Sequence, residues 1–221
     1  MANDEMLKAT LGRDTDDAVN RTMPLIGFAG PAHSGKDTAC DYLCGRLPFL
    51  RKYTFATPIK RATTAMFGLS RRHVDGDLKE IDLDWLGVSP RQLMQTLGTE
   101  RGRNMVRDDV WLKVLEHSVL GDVTLADEFA EKWAGVVSDV RFANEAAWVR
   151  GQGGVVVHIL RSGLEGVAPH CSEGCVAVRE GDVLIENNGT PHEFESRLDD
   201  LVFDLGGRYS VFSELPASSV I

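Results

Sequence analysis

The sequence predicts an α/β protein built on a doubly wound parallel sheet, and two patterns predict it. Short, unbroken apolar runs recur along the chain, and stretches of helical periodicity lie between them. Unbroken runs suit strands covered on both faces, because the crossover helices of a parallel sheet bury each side. Leu25–Ala29, Gly135–Ser138, Val155–Leu160 and Val183–Ile185 are the clearest strands, with Tyr53–Ala56 a shorter candidate. Helices are expected over Lys36–Leu47, Ile59–Phe67, Pro90–Arg103, Val110–Leu120, Asn144–Gln152 and Glu193–Leu201. The start of Pro90–Arg103 is well marked: Ser89 suits the N-cap, Pro90 the first helical position, and Ser89 and Gln92 have capping-box spacing. In such sheets ligands gather at the carboxyl ends of the strands.

The chain has 221 residues, enough for one domain with a fully buried sheet. Met1 to Thr22 is polar and acidic, with Asp14, Asp16 and Asp17 close together, and reads as a flexible extension. It lacks the apolar stretch of a secretory signal, and no apolar run reaches the ~20 residues of a membrane span, so a cytoplasmic location is expected. Residues 23–221 read as a single domain with a helical, substrate-binding insertion over 57–134. Leu164–Asp182 breaks the strand–helix pattern and reads as a lid, over about 161–182, or an irregular excursion. The net charge of -9 argues against nucleic acid as a partner, because a phosphate backbone is held mainly by Lys and Arg. A small phosphorylated ligand needs only a local cluster of cations in a cleft. Cys40 and Cys44 lie beside an apolar helical stripe and are read as packing. Cys171 and Cys175, beside His170, have C-x3-C spacing without a second pair, so free thiols are favoured over zinc.

The most informative segment follows Leu25–Ala29. Gly30-Pro-Ala-His-Ser-Gly-Lys36 has the form G-x4-G-K between a buried strand and an amphipathic helix, the context a nucleotide-phosphate loop requires. Glycines let backbone N–H groups converge on phosphate oxygens, the helix terminus adds partial positive charge, and the lysine reaches the β and γ phosphates. Gly30, His33, Ser34, Gly35, Lys36, Asp37 and Thr38 are therefore candidate ATP-binding residues, in a sheet of the P-loop NTPase type. The loop departs from the usual pattern after Lys36. Asp37 replaces the Ser/Thr that ligates magnesium, and the hydroxyl moves to Thr38. Asp37 and Thr38 are the candidate magnesium ligands, directly or through water. A Lys-x-Thr order of this kind is common in nucleoside monophosphate kinases.

Seven further stretches, in order, carry a more specific resemblance. They are Ser34–Thr38 (SGKDT), Phe55–Lys60 (FAxPIK), Ser89–Glu100 (SPRQLMQxLGTE), Asp109–Trp111 (DxW), Ser138–Glu145 (SDVRFxNE), His170–Glu173 (HxSE) and Ile185–Thr190 (IxNxGT). Together they make the chain similar to the bacteriophage-type deoxynucleoside monophosphate kinases, from about Leu25 to Leu205. The resemblance implies transfer of the γ-phosphoryl group of ATP to a deoxynucleoside 5′-monophosphate, with magnesium, giving ADP and the diphosphate; it also implies a homodimer. One mismatch stands out: family members often carry basic residues in the x4 stretch, where this chain has Pro31-Ala32-His33. That leaves more work for cations elsewhere.

Such a reaction asks for aligned cations more than for proton transfer, since the acceptor phosphate, with a second pKa near ~6, is already ionised. Candidate cations are Lys36, Lys60, Arg91, Arg141 and Arg161. Arg141 follows a buried strand, and its planar fork suits a transferring or accepting phosphate; with Lys36 and Asp139 it forms the candidate catalytic set. Asp139 could order magnesium through water, orient Arg141, or merely cap the next helix. Lys60, Arg91, Gln95, Thr99, Trp111, Arg141 and Arg161 are the candidate substrate-binding residues. Arg91 and Gln95, four apart, share a helix face, and Trp111 enters through the family's DxW. Leu93, Met94 and Leu97 read as core, Trp85, Trp133 and Trp148 as packing, and Lys79 and Glu80 as a solvated pair. Asn187 and Gly189 follow the last strand, where related kinases wrap a loop around adenine; a plain turn is the competing explanation.

Other classes fit less well. A GTP-dependent switch would carry N-K-x-D, which is absent, and a remodelling ATPase would end a strand in Asp-Glu, where this chain has Ser138-Asp139-Val140-Arg141. Dephospho-coenzyme A kinase, a relative in fold, and a non-catalytic nucleotide-binding module remain as alternatives. The bases accepted are not legible.

Overall fold

The structure is a computed structural model describing residues 22–163 and 176–213. The acidic extension up to residue 21 and the segment holding His170, Cys171, Glu173 and Cys175 lie outside the described residues, as does most of the lid. Five strands form one all-parallel sheet in the order β2-β3-β1-β4-β5: β1 Leu25–Ala29, β2 Leu50–Tyr53, β3 Ala134–Val140, β4 Val155–Leu160 and β5 Val183–Glu186. β1 lies in the centre, and every residue of it is buried, as its unbroken apolar sequence requires.

Alternate side chains of β1 serve two layers. Ile26 and Phe28 pack with Ala39, Leu43, Leu198 and Leu201, from α1 (Lys36–Arg46) and α7 (Pro191–Gly206). Leu25 and Ala29 pack with Leu112, Leu115, Val119 and Trp148, from α5 (Val110–Glu128) and α6 (Ala143–Gly151). Cys40 is buried in the first layer and Cys44 packs against it, both as free thiols. Between β2 and β3 the insertion carries α2 (Thr57–Phe67), α3 (Arg71–Asp75), α4 (Pro90–Gln95), a π-helical segment (Thr96–Val106) and α5. A short α8 (Ser210–Ser213) follows α7. No helix among the described residues is long and apolar enough to cross a membrane.

Several elements differ from expectation for identifiable reasons. The second strand was expected at Tyr53–Ala56 but ends at Tyr53, because the N–H groups of Phe55 and Ala56 donate to the carboxylate of Asp139, at 2.9 and 3.1 Å, instead of to a neighbouring strand. The helix expected over Pro90–Arg103 is α-helical only to Gln95 and then widens into the π-helical segment. Two glycines permit close packing there. A Cβ on Gly98 would lie 2.9 Å from Ile59 Cδ1, and one on Gly102 2.6 Å from the Trp111 ring. α5 runs on to Glu128, well past Leu120. α7 starts at Pro191 because Thr190 and Glu193 cap each other, Thr190 N–H donating to Glu193 Oε2 at 2.7 Å and Glu193 N–H to Thr190 Oγ1 at 3.2 Å. Leu93, Met94 and Leu97 are half-buried. Trp148 is buried and donates to Glu116, and Trp133 packs on Tyr53. Trp85, expected to pack, is 65% exposed in the connection between α3 and α4.

The sheet edge near β5 is fastened by one carboxylate. Asp182 accepts both Arg150 Nε (2.9 Å) and Nη2 (2.7 Å), the Arg179 N–H (2.8 Å), and His158 Nε2 (3.0 Å). Burial alone would push this group upward, but the donors from Arg150, Arg179 and His158 outweigh it and hold it at about 2. Because the folded value lies below the unfolded one, the stabilisation is complete above the unfolded value and is lost as pH falls from about 4 towards 2. We expect Asp182→Asn to remove on the order of 2 kcal/mol of stability at neutral pH and to flatten the acid limb of Tm against pH. An acid limb unchanged in that variant would show that another group governs it.

Candidate active site

The phosphate loop is shaped by three positive-φ residues, Gly30 (139°), His33 (62°) and Gly35 (109°). A Cβ on Gly30 would lie 2.5 Å from the Ile159 carbonyl oxygen, and one on Gly35 2.5 Å from Asn187 Nδ2, so both positions exclude side chains by conformation and by space. Gly35 caps α1, whose first internal bond is from Ala39 N–H to the Gly35 carbonyl at 2.9 Å. The N–H groups of Lys36, Asp37 and Thr38 therefore have no intrahelical acceptor. Lys36 Nζ donates to the carbonyls of Gly30 (2.9 Å) and Pro31 (2.6 Å) and thus lies over the loop. Ser34 Oγ is fully buried and has no hydrogen-bond partner among the described residues.

The strand ends brace this loop. Asn187, just past β5, donates from Nδ2 to the Ser34 carbonyl at 2.8 Å, and its N–H donates to Leu160 at 2.7 Å. Arg161, just past β4, donates to the His33 carbonyl at 3.3 Å. The structure thus puts Arg161 on the phosphate loop, apart from the other cations expected around the substrate. Gly189, a candidate ATP-binding residue, is pressed against the Glu193 carboxylate, where a Cβ would clash, and so permits the cap of α7. Asp37 is exposed and stands 3.5 Å from Lys52, which also pairs with Asp41 at 2.7 Å. Thr38 is exposed on the same turn.

A cleft of about 800 Å3 opens between this first turn of α1 and helix α2, with Asp37, Lys52, Thr54, Thr57, Lys60 and Asp75 among its lining residues. Of the expected cations, Lys60 lines it, and Arg91 and Arg141 come from α4 and from the end of β3. Lys60, on α2, pairs with Asp75 at 2.5 Å, and Arg91, on α4, with Glu80 at 2.8 Å. Arg141, exposed just past β3, makes no side-chain ion pair among the described residues. Lys79, read from the sequence as the partner of Glu80, instead sits half-buried in the field of Lys60, Arg91 and Arg141. Burial first, and those three cations next, pull its ammonium below the usual range. Asp139 feels the same cations: burial pushes its carboxyl up, while the N–H donors of Phe55 and Ala56 and the charges of Arg141 and Lys60 oppose the rise. Both Asp139 oxygens are taken by backbone donors, which makes it first a clamp on the chain between β2 and α2.

A buried pair fixes the backbone at Arg141. Glu145 Oε2 accepts the N–H groups of Arg141 (2.8 Å) and Phe142 (3.1 Å), and Glu145 Oε1 accepts Arg103 Nη2 at 2.6 Å. The Arg103 guanidinium also lies 4.0 Å from the Phe142 ring centroid. Burial pushes Glu145 up to about 7, against the pull of its donors. Gln95 and Thr99 are exposed, four residues apart across the α4–π junction. Trp111 lies nearby but is held for packing: its indole N–H donates to the Gly98 carbonyl at 2.7 Å, and its ring covers Gly102. Sequence reasoning missed Lys79, Arg103, Glu145 and Lys52. Only Glu145 carried a local signal, as an acid at the third position of a helix that follows Arg141.

Comparisons with known proteins place the chain in a family. The family described as deoxynucleotide monophosphate kinase matches residues 78–198, from Leu78 into the first half of α7. A protein of Acanthamoeba polyphaga mimivirus, provisionally named for the same activity, is 34% identical over 186 residues, covering 80% of this chain and 94% of its own. The deoxynucleotide monophosphate kinase of Escherichia phage RB69 is 30% identical, over 52% of this chain and 45% of its own. That of Enterobacteria phage T4 is 26% identical, over 73% of this chain and 63% of its own. The chain belongs to the deoxynucleotide monophosphate kinase family.

Proposed function

We propose that this protein transfers the γ-phosphoryl group of ATP to a deoxynucleoside 5′-monophosphate, giving ADP and the deoxynucleoside diphosphate. One observation carries the proposal: a loop shaped by positive-φ glycines leads from β1 into α1, and Lys60 of α2 lies across one cleft from that first turn of α1. That arrangement gives each of two anionic ligands its own cations. Lys36 exchanges its bonds to Gly30 and Pro31 for phosphate oxygens of the donor, and Arg161 and Asn187 keep the loop in shape. Lys60, Arg91 and Arg141 receive the acceptor phosphate, with Gln95 and Thr99 on its nucleoside side.

No general base is needed, because the attacking oxygen is already ionised near neutral pH. The barrier lies in bringing polyanions together, which preorganised cations lower. Thr38 and Asp37 fit magnesium in the usual way for this ion, which takes one or two protein oxygens and fills its shell with phosphate and water. The Asp37 carboxylate is exposed and shared with Lys52, so it suits contact through water, and the exposed Thr38 hydroxyl is the other candidate oxygen. Magnesium would supply charge neutralisation between the phosphates. Arg141 offers a planar fork at the point where the acceptor arrives, and its backbone is held by Glu145. Asp139 positions Lys60 and Arg141 by fixing the chain between β2 and α2.

A coupled ADP-release assay across the deoxynucleoside monophosphates, the ribonucleotides and dephospho-coenzyme A tests the assignment. Turnover with deoxynucleoside monophosphates is expected, and turnover only with dephospho-coenzyme A would overturn it. Lys36→Ala should lose about 100-fold or more in kcat/KM, ~3 kcal/mol, with the fold intact by circular dichroism. Wild-type turnover in that variant would exclude phosphoryl transfer at this loop.

Arg141→Lys separates geometry from charge. It keeps the cation and loses the fork, and should lower turnover at least about tenfold, ~1.4 kcal/mol, with ATP affinity unchanged. If Arg141→Lys turned over normally while Arg141→Ala did not, only the charge would matter; normal rates in both would remove Arg141 from the site.

A further inference from the structure

Lys79 lies in the connection between α3 and α4, a stretch without periodicity, yet its backbone is fixed. The Arg91 N–H donates to the Lys79 carbonyl at 3.0 Å. Arg91 is the second residue of α4, so this N–H has no acceptor within its own helix, and Lys79 supplies one. The Lys79 N–H in turn donates to Gly76 at 3.3 Å, and Glu80 pairs with the Arg91 guanidinium at 2.8 Å. The backbone of residues 79 and 80 is thereby laid against the start of α4. Glu80 is committed to Arg91, and the Lys79 side chain makes no ion pair among the described residues.

Its electrostatic neighbours are cations. Lys60 from α2, Arg91 from α4 and Arg141 from the end of β3 all act on Lys79, and the Glu80 carboxylate offsets them in part. Four positive groups from four parts of the chain face Asp75, Glu80 and the clamped Asp139. Cations do not converge at half burial for stability, since mutual repulsion and lost hydration both oppose it. A ligand carrying two negative charges offsets both costs.

We propose that Lys79 is a further binding residue for the acceptor, contacting its 5′-phosphate beside Lys60, Arg91 and Arg141. This rests on the acceptor-side reading above and extends it to a residue in the loop before α4. The Lys79 ammonium acts as a point charge, where Arg91 and Arg141 offer forks, so the four together match a tetrahedral dianion from several directions.

Steady-state kinetics of Lys79→Gln, Lys79→Arg and Arg91→Ala test it, with Tm measured alongside. Lys79→Gln should raise the KM for the deoxynucleoside monophosphate about tenfold or more and leave the KM for ATP within about twofold. Lys79→Arg, which keeps the charge, should recover most of that loss. Competitive inhibition by the unphosphorylated deoxynucleoside should be equal in wild type and Lys79→Gln, because the lost contact is to phosphate. An acceptor KM unchanged in Lys79→Gln but raised in Arg91→Ala would overturn the role of Lys79 and leave the acceptor side in place. Unchanged values in both would overturn the acceptor-side assignment itself. Equal rises in both substrates' KM, with a lowered Tm in Lys79→Gln and Lys79→Arg alike, would mark Lys79 as structural and also overturn the proposal.

Discussion

The hydrogen bonds from Phe55 and Ala56 N–H to the Asp139 carboxylate set the geometry on which the rest of the site depends. They join two chain segments more than eighty residues apart at the carboxyl edge of the sheet. Once both N–H groups turn towards Asp139, they cannot continue the ladder with β3, and the strand ends at Tyr53. The chain then has Pro58 within the first turn of α2, a position where a missing N–H costs nothing. Lys60 follows within that helix and is delivered to the cleft. A carboxylate accepting two backbone N–H groups is a strong anchor, because charge-assisted bonds are about twice as strong as neutral ones. Asp139 thus works chiefly through the backbone it fixes.

The same site explains how a chain of net charge -9 handles anionic ligands. Screening in solution confines most surface charge effects to about 8–10 Å, so the sign of the whole molecule matters less than the charge lining one cleft. That lining is built from several elements: the first turns of α1, the end of β2, α2 and α3. Asp75 and Glu80 hold Lys60 and Arg91 with exposed pairs, which are worth little in stability and can be exchanged for a phosphate at small cost. The loop has Pro31-Ala32-His33 where relatives place basic residues, so more of the cationic charge comes from these dispersed elements.

What could be read in the sequence was whatever is contiguous. β1 and β4 form over the residues expected, because a strand buried on both faces declares itself by an unbroken apolar run. The phosphate loop declares itself by glycines whose conformations and clearances admit nothing else. The end of β2 was not legible, since a carboxylate far along the chain determines it. Nor was the π-helical segment, where Ile59 and Trp111, from other parts of the chain, pack closely on Gly98 and Gly102. Lys79 was read as an ordinary surface charge because its neighbours in space come from other elements. Glu80, its neighbour in sequence, turned out to serve Arg91. The candidate site was therefore legible on the donor side and only partly so on the acceptor side, where each contributing residue sits on a different segment.

Arg103 and Glu145 show why the insertion must be counted as part of the site. Arg103 comes from the π-helical segment and Glu145 from α6, and their pair is buried, with Glu145 1% and Arg103 15% exposed at the side chain. A buried ion pair is a weak source of stability, since desolvation consumes most of its Coulombic gain. Here its second carboxylate oxygen holds the N–H groups of Arg141 and Phe142, and the Arg103 guanidinium stacks on the Phe142 ring. The pair therefore ties the position of the insertion to the backbone that carries Arg141. Phosphoryl transfer rewards that kind of coupling, because a displacement of about 1 Å in a reacting group can cost about 100-fold in rate. The gain from Arg103 and Glu145 lies in alignment: the pair holds the insertion in register with the strand end that carries Arg141.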